Sequence, residues 1–267
     1  MTELRLPVVA GGLMVLAGTL ALLHAVGVLP GGVPIGPLVV LGAGAWLLSA
    51  GLRSERSAPS ADAADPVAVA VPLDGATAAR LVLSHGAGTI RMAGGATAGH
   101  LVEGTSSSIV QTTKTHRDGR LEATLQPTGT WEQWPGRRAA VVWDLGLARD
   151  VPIDLEVRTG ASQVRLDLAD ALVRSLKVQT GASDVEVVLP AHGRCNVSVS
   201  AGAADVRIRV PEGVAASVRN RSALAGFTID EHRFPKVDGR YESPGFDRAD
   251  DRADIDIDGG VASFSVR

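Results

Sequence analysis

From residue 72 to the end, the apolar positions follow a period of two. Leu81, Leu83, Ile90 and Met92 alternate with polar or small residues, as do Val164, Leu166 and Leu168. The same holds for Val178, Val185, Val187 and Leu189, and for Val197, Val199, Val206, Ile208 and Val210. Strict alternation over short runs predicts half-buried strands, with one face on a core and the other in water. Helical periodicity is nearly absent from this part of the chain.

A longer period lies over the short one. Gly160, Gly181 and Gly202 recur every 21 residues and open Gly-Ala-Ser-Gln-Val-Arg-Leu, Gly-Ala-Ser-Asp-Val-Glu-Val and Gly-Ala-Ala-Asp-Val-Arg-Ile. A fixed period of this length marks a repeat architecture in which each unit buries its apolar face against its neighbours. The register extends to Ala223, where Phe227 and Ile229 fall on the inward phase, and the closing segment from Gly260 repeats the shape after an insertion containing Pro235 and Pro244. The segment from His85 through Gly86 to Met92 is a further copy, set apart by a less regular stretch. Gly86, Gly160, Gly181, Gly202 and Gly260 are the expected turn glycines, supplying a left-handed or crowded backbone at a stacked corner. Equal spacing favours an all-β, right-handed β-helix-like solenoid of 21-residue repeats over the alternative, a two-sheet antiparallel β-sandwich. Irregular terminal copies would cap it, and the aspartates from Asp247 to Asp258 would charge an exposed end against edge-to-edge association.

The first 52 residues are different. Leu6 to Leu29 has His24 as its only strongly polar member, and Val33 to Leu52 carries no charge. About 20 apolar residues cross a hydrocarbon core as a helix, so the expected spans are 6–29 and 33–52. Pro30-Gly31-Gly32-Val33-Pro34 is turn chemistry, which makes residues 1–52 a transmembrane helical hairpin. Arg5 precedes the pair, and Arg53 and Arg56 follow it, which places both termini in the cytoplasm. The Ser-, Ala- and Pro-rich residues 53–71 are the expected flexible linker, leaving 72–267 as the β-domain.

Composition narrows the function classes. The chain has 267 residues, a formal net charge of −3, 3% aromatic residues and a single cysteine, Cys195. There is no basic stripe and few stacking platforms, which argues against nucleic acid as a partner. One cysteine excludes an internal disulfide framework.

No motif points to catalysis, a cofactor or a metal. The position after each Gly-Ala-x turn reads Thr89, Gln163, Asp184, Asp205, Gly226 and Ser263, too few aspartates for a calcium ladder. The acidic run from Asp250 to Asp258 lacks EF-hand spacing. His192 and Cys195 have the separation of half a metal site without a second pair, and Cys195 shares the inward phase of Val197. Trp131, Trp134 and Trp143 form the one aromatic cluster. They read either as a cap on the solenoid core or as a surface patch in which Trp131 and Trp134, beside Arg137 and Arg138, meet lipid headgroups or a partner protein.

The hairpin with its Pro-Gly-Gly loop resembles the membrane region of bacterial LiaI/LiaF-type envelope-stress proteins. The segments Val151-Pro-Ile-Asp-Leu-Glu-Val-Arg-Thr-Gly-Ala-Ser, Ser175-Leu-Lys-Val-Gln-Thr-Gly-Ala-Ser-Asp-Val, Val188-Leu-Pro, Tyr241-Glu-Ser-Pro-Gly and Ile255-Asp-Ile-Asp-Gly-Gly resemble the toastrack domain, an adhesin-like, LiaF/LiaG-related β-domain that often follows such a hairpin. The resemblance implies a β-helix-like domain and a link to envelope-stress signalling, where relatives restrain a sensor kinase. The resulting expectation is a non-enzymatic, two-pass scaffold or regulator of the cytoplasmic membrane. Its partners would be the lipid bilayer, a membrane or signalling protein such as a sensor kinase, and another copy of itself. The alternative is an outward-facing module for envelope-polymer binding or adhesion.

Overall fold

The computed structural model describes residues 66–128, 141–222 and 226–267. The expected membrane spans lie outside these residues. Among the described residues, no helix is long and apolar enough to cross a membrane.

Strands account for nearly all regular structure. They are β1 (Val67–Pro72), β2 (Ala78–Gly94), β3 (His100–Ser106), β4 (Val110–Arg117), β5 (Arg120–Pro127), β6 (Val141–Leu147), β7 (Ile153–Asp167), β8 (Val173–Thr180) and β9 (Asp184–Val188). They continue as β10 (Arg194–Ala201), β11 (Asp205–Arg209), β12 (Ala215–Asn220), β13 (Gly226–Ile229), β14 (Lys236–Val237), β15 (Arg240–Glu242), β16 (Arg252–Gly259) and β17 (Ser263–Val266). The linker expected to reach residue 71 ends earlier. β1 already pairs with β3 from Val67, because Val69 and Val71 reach the core on alternate positions.

Each coil of the stack consists of a first strand, a glycine corner and a second strand. First strands form one ladder, in the order β5, β2, β7, β8, β10, β16, β12, and neighbours are parallel. Second strands form another: β6, the second half of β2, the second half of β7, then β9, β11, β17 and β13, again parallel. β2 and β7 run through the corner unbroken and belong to both ladders. Antiparallel strands are confined to the ends, with β4 on β5, β1 and β3 beside β6, and β15 and β14 beside β12. Parallel pairing through the stack argues against the antiparallel sandwich.

In the middle coils the register joins residues 21 apart. Leu155 pairs with Leu176 and Leu176 with Val197, while Gln163 pairs with Asp184 and Asp184 with Asp205. Like residues therefore fall on like, and the inward aliphatics of both ladders merge into one core that includes Leu81, Leu155, Val178, Val199, Ile255 and Phe264.

Spatial order departs from chain order at both ends, which corrects the expectation of copies stacked in sequence. The first coil, β2, lies between the β5/β6 coil and β7. The last coil, β16/β17, lies between β10/β11 and β12/β13. The closing copy at Gly260 is therefore an interior coil rather than a cap. Of the aspartates expected at an exposed end, Asp254, Asp256 and Asp258 project from the outer face of β16, an interior strand with Ala253, Ile255 and Ile257 buried beneath them, while Asp247, Asp250 and Asp251 precede it. The edge strand β4 is guarded by a different charge. Both its faces are exposed, and it carries Lys114, a common device against edge pairing.

Two hairpins close on Asp-Gly turns. Asp118 and Gly119 join β4 to β5 with φ of 49° and 74°, and Asp238 and Gly239 join β14 to β15 with φ of 46° and 81°. Two successive left-handed residues make the tight turn that matches strand twist.

Candidate functional site

The corner glycines stack in the order Gly86, Gly160, Gly181, Gly202, Gly260. A Cβ on Gly160 would lie 2.7 Å from the Gly86 carbonyl oxygen, on Gly181 2.8 Å from that of Gly160, on Gly202 3.0 Å from that of Gly181, and on Gly260 3.2 Å from that of Gly202. Crowding rather than a left-handed backbone is the constraint, since none of these five has positive φ. Backbone bonds tie the corner from coil to coil, with Ala182 N donating to Gly160 O and Ala203 N to Gly181 O, each at 2.8 Å.

A chain of buried and half-buried polar groups lines the inside of this corner. His85 Nε2 lies 3.2 Å from the Val141 carbonyl oxygen, and a carbonyl only accepts, so Nε2 carries the proton. Nδ1 then accepts from Ser162 Oγ at 3.2 Å. Ser162 N donates to Ser183 Oγ at 3.1 Å, Thr180 Oγ1 donates to the same oxygen, and Thr159 Oγ1 donates to Thr180 Oγ1 at 3.0 Å. The imidazole packs edge-on against the fully buried Trp143, with centroids 4.9 Å apart.

Serine donating to a neutral histidine is also the pairing of a nucleophile and its base. Here both residues are buried, so the hydroxyl has no open face for a substrate. The pair holds the corner together by satisfying polar groups that the bend places inside.

Burial lowers the pKa of His85, against a smaller opposing effect from the Val141 carbonyl. In the unfolded chain the ring takes a proton near 6.5. Below that pH the unfolded state binds more protons than the folded one, so acidification from about pH 6.5 downward is expected to cost stability. Urea midpoints measured across pH should fall less steeply for His85→Gln than for the unaltered chain. Parallel curves would mean that the folded protein holds His85 charged.

Outside the corner, the position two residues before each glycine forms a row. Ser84 pairs with Arg158, Arg158 with Gln179, Gln179 with Ser200, and Ser200 with Asp258. A shallow groove of about 500 Å³ follows this row beside the bare glycines. A second groove, of about 340 Å³, continues it over Arg80, Val82, Thr124 and Gln126, with Glu122 on its wall. The two share Ser84 and Arg158.

The charges here are held in place from below. Glu156 is buried, yet sits on the outer face beneath three cations, Arg158 at 2.8 Å, Arg80 at 3.1 Å and Lys177 at 3.7 Å. Burial raises its pKa, but hydrogen bonds from Arg158 and Arg80 and the charges of Arg158 and Lys177 together outweigh that, leaving the carboxyl below its ordinary value. A neighbouring pair, Arg120 with Asp154, adds no net charge.

The expected contact residues Trp131, Trp134, Arg137 and Arg138 lie outside the described residues. Their companion Trp143 is a core residue rather than part of a surface. His192 is exposed and bonded to Asp251 at 3.3 Å, while Cys195 points into the core, so the two do not converge. Burial, with a smaller contribution from Asp154, pushes the Cys195 thiol up to about 12, leaving it unreactive. Among the described residues, no group of three histidine, cysteine or acidic side chains converges as a metal site would require. Sequence reasoning did not single out the Ser84–Arg158–Gln179–Ser200 row, although Arg158, Gln179 and Ser200 share the glycine period.

Residues 61–209 match the family described as the N-terminal domain of toast_rack, DUF2154. The chain belongs to the toastrack family. Coils β12/β13 and β16/β17 follow the matched stretch. The crystal structure of a "putative cell adhesion protein" from Clostridium sporogenes superposes on this toastrack chain with a TM-score of 0.67 at 15% identity, covering 76% of this chain and 98% of that one. At that identity the likeness establishes the fold. No curated protein matches the toastrack chain.

Proposed function

We propose that this toastrack protein is a non-enzymatic, membrane-anchored scaffold of the bacterial cytoplasmic membrane, linked to envelope-stress signalling through protein contacts of its β-domain. The observation that carries the reading is a continuous stack of parallel coils whose 21-residue register sets like residues on like, giving an ordered surface that repeats from coil to coil. The two apolar stretches before residue 53 support a two-pass anchor, and the arginines flanking them support cytoplasmic termini. The partners in this reading are the bilayer and a membrane or signalling protein, a sensor kinase among them, with self-association of the stack as a further contact.

The fold's likeness to a protein described as a cell adhesion protein favours a second reading, an outward-facing module that binds envelope polymer. Topology separates the two. Paired reporters fused at Arg267, one active only inside and one only outside, are expected to report a cytoplasmic C-terminus. Cross-linkers placed at Trp131 and Trp134 should then trap the partner. An external C-terminus would remove the kinase-regulator reading and leave polymer binding.

A further inference from the structure

The outer corner row has three properties that together define a ligand. Its side chains are spaced by the coils, about 4.7–4.9 Å apart along the stack. A linear chain lying along the row would meet Ser84, Arg158, Gln179, Ser200 and Asp258 in turn. An extended polypeptide advances about 3.3–3.4 Å per residue and falls out of step with that spacing. A pyranose unit advances its chain by nearly the same distance as one coil.

The row is also built of hydrogen-bonding groups. Hydroxyls from Ser84 and Ser200 and the amide of Gln179 line the groove, and the absent side chains of Gly86 and Gly160 leave room for a bulky ring against the backbone. Among the described residues no Phe, Tyr or Trp lines either groove, and the imidazole of His85 is turned inward against Trp143, so recognition there comes from hydrogen bonds and charge rather than stacking.

The third property is the charge pattern. Glu156 holds the Arg158 guanidinium by Nε at 2.9 Å, fixing it on the face with further N–H groups to offer. Lys177 and Arg80 flank the same carboxylate. At the far end of the row Asp258 presents a negative charge, and Glu122 lines the second groove beside Arg80. On the row itself Arg158 is the one cation and Asp258, three coils away, the one acid, a pattern that suits a ligand with isolated carboxylates and repels one charged at every unit.

We propose that this row is the floor of a binding groove for a linear glycan with spaced carboxylates, one of them seated on Arg158. The inference rests on the polymer-binding reading above. The reporter fusions test that reading without any glycan, whereas binding to the purified full-length chain tests the groove whichever side of the membrane it faces.

The probe is a hyaluronan hexasaccharide, acidic at every second sugar, titrated calorimetrically into the detergent-solubilised chain. Saturable binding is expected, weaker by about tenfold for Gln179→Asp, which sets a like charge beside the seated carboxylate. A similar loss is expected for the paired change Arg158→Ala with Glu156→Ala, which removes the guanidinium without stranding its buried partner. Circular dichroism checks that both variants remain folded. Equal binding of neutral chitohexaose would overturn carboxylate recognition, and equal or tighter binding of hexaglutamate would assign the groove to acidic peptide instead. Absence of binding, or unchanged binding in both variants, would remove the groove as a site.

Discussion

Removing residues 252–267 is expected to unfold the C-terminal half of the toastrack domain rather than trim its end. The segment is paired on both sides, with β16 between β10 and β12 and β17 between β11 and β13. Without it, β12 and β13 lose the strands on which they lie, and β10 and β11 are left as open edges. Ile255, Ile257, Phe264 and Val266 are fully buried, and burial of such side chains is worth about 1.5–3 kcal/mol each. Their combined loss is comparable to the roughly 5–15 kcal/mol by which whole domains are stable. A milder probe, Phe264→Ala, is expected to cost about 3–5 kcal/mol. Guanidinium denaturation followed by circular dichroism, together with limited proteolysis, checks both. A truncated chain that keeps its midpoint and resists cleavage before residue 230 would show that the last coil is an accessory.

The corner glycines give a second large effect, and a graded one. Alanine at Gly160, Gly181, Gly202 or Gly260 places its Cβ at 2.7, 2.8, 3.0 or 3.2 Å from a backbone carbonyl oxygen, which moves only if two coils separate. Overpacking of this kind costs about 1–3 kcal/mol, and the loss should fall in that order. Gly86 has nothing within 4 Å of its Cβ position, so Gly86→Ala is expected to be close to neutral. Five single variants compared by denaturation midpoint test the ranking. A flat series, or a costly Gly86→Ala, would mean that backbone freedom rather than contact explains these glycines.

The parts legible in the sequence were those written in local periods. Alternation of apolar residues marks the strands because a strand with one wet face has no other way to be encoded. The recurrence of Gly160, Gly181 and Gly202 marks the corner because identical packing recurs there. What stayed hidden was long-range. Nothing local states that β2 receives β5 and β6 on its outer side, since that pairing closes a loop of dozens of residues. The insertion of β16 and β17 is equally silent, because interior and terminal strands carry the same alternation. The Asp118-Gly119 and Asp238-Gly239 hairpins were signalled by turn chemistry, but the glycine repeat is the louder pattern. The outer row at Arg158, Gln179 and Ser200 was within reach, because it shares the period. It has no fixed residue type, however, and only the stacked register shows that Arg158 is held by Glu156 beneath it.

Placing the first and last coils one step inside the stack has a consequence for how such domains can change length. At either end, adding a unit would break a sandwiched coil away from one of its two neighbours. Between β7 and β11 the coils follow one another in chain order, and there an extra 21-residue unit can enter with its turn glycine, its inward aliphatics and its outer-row side chain already in register. Each such unit would lengthen the stack by one strand spacing, about 4.8 Å, and leave both ends as they are. The middle of the domain thus works as an adjustable spacer between two fixed fittings.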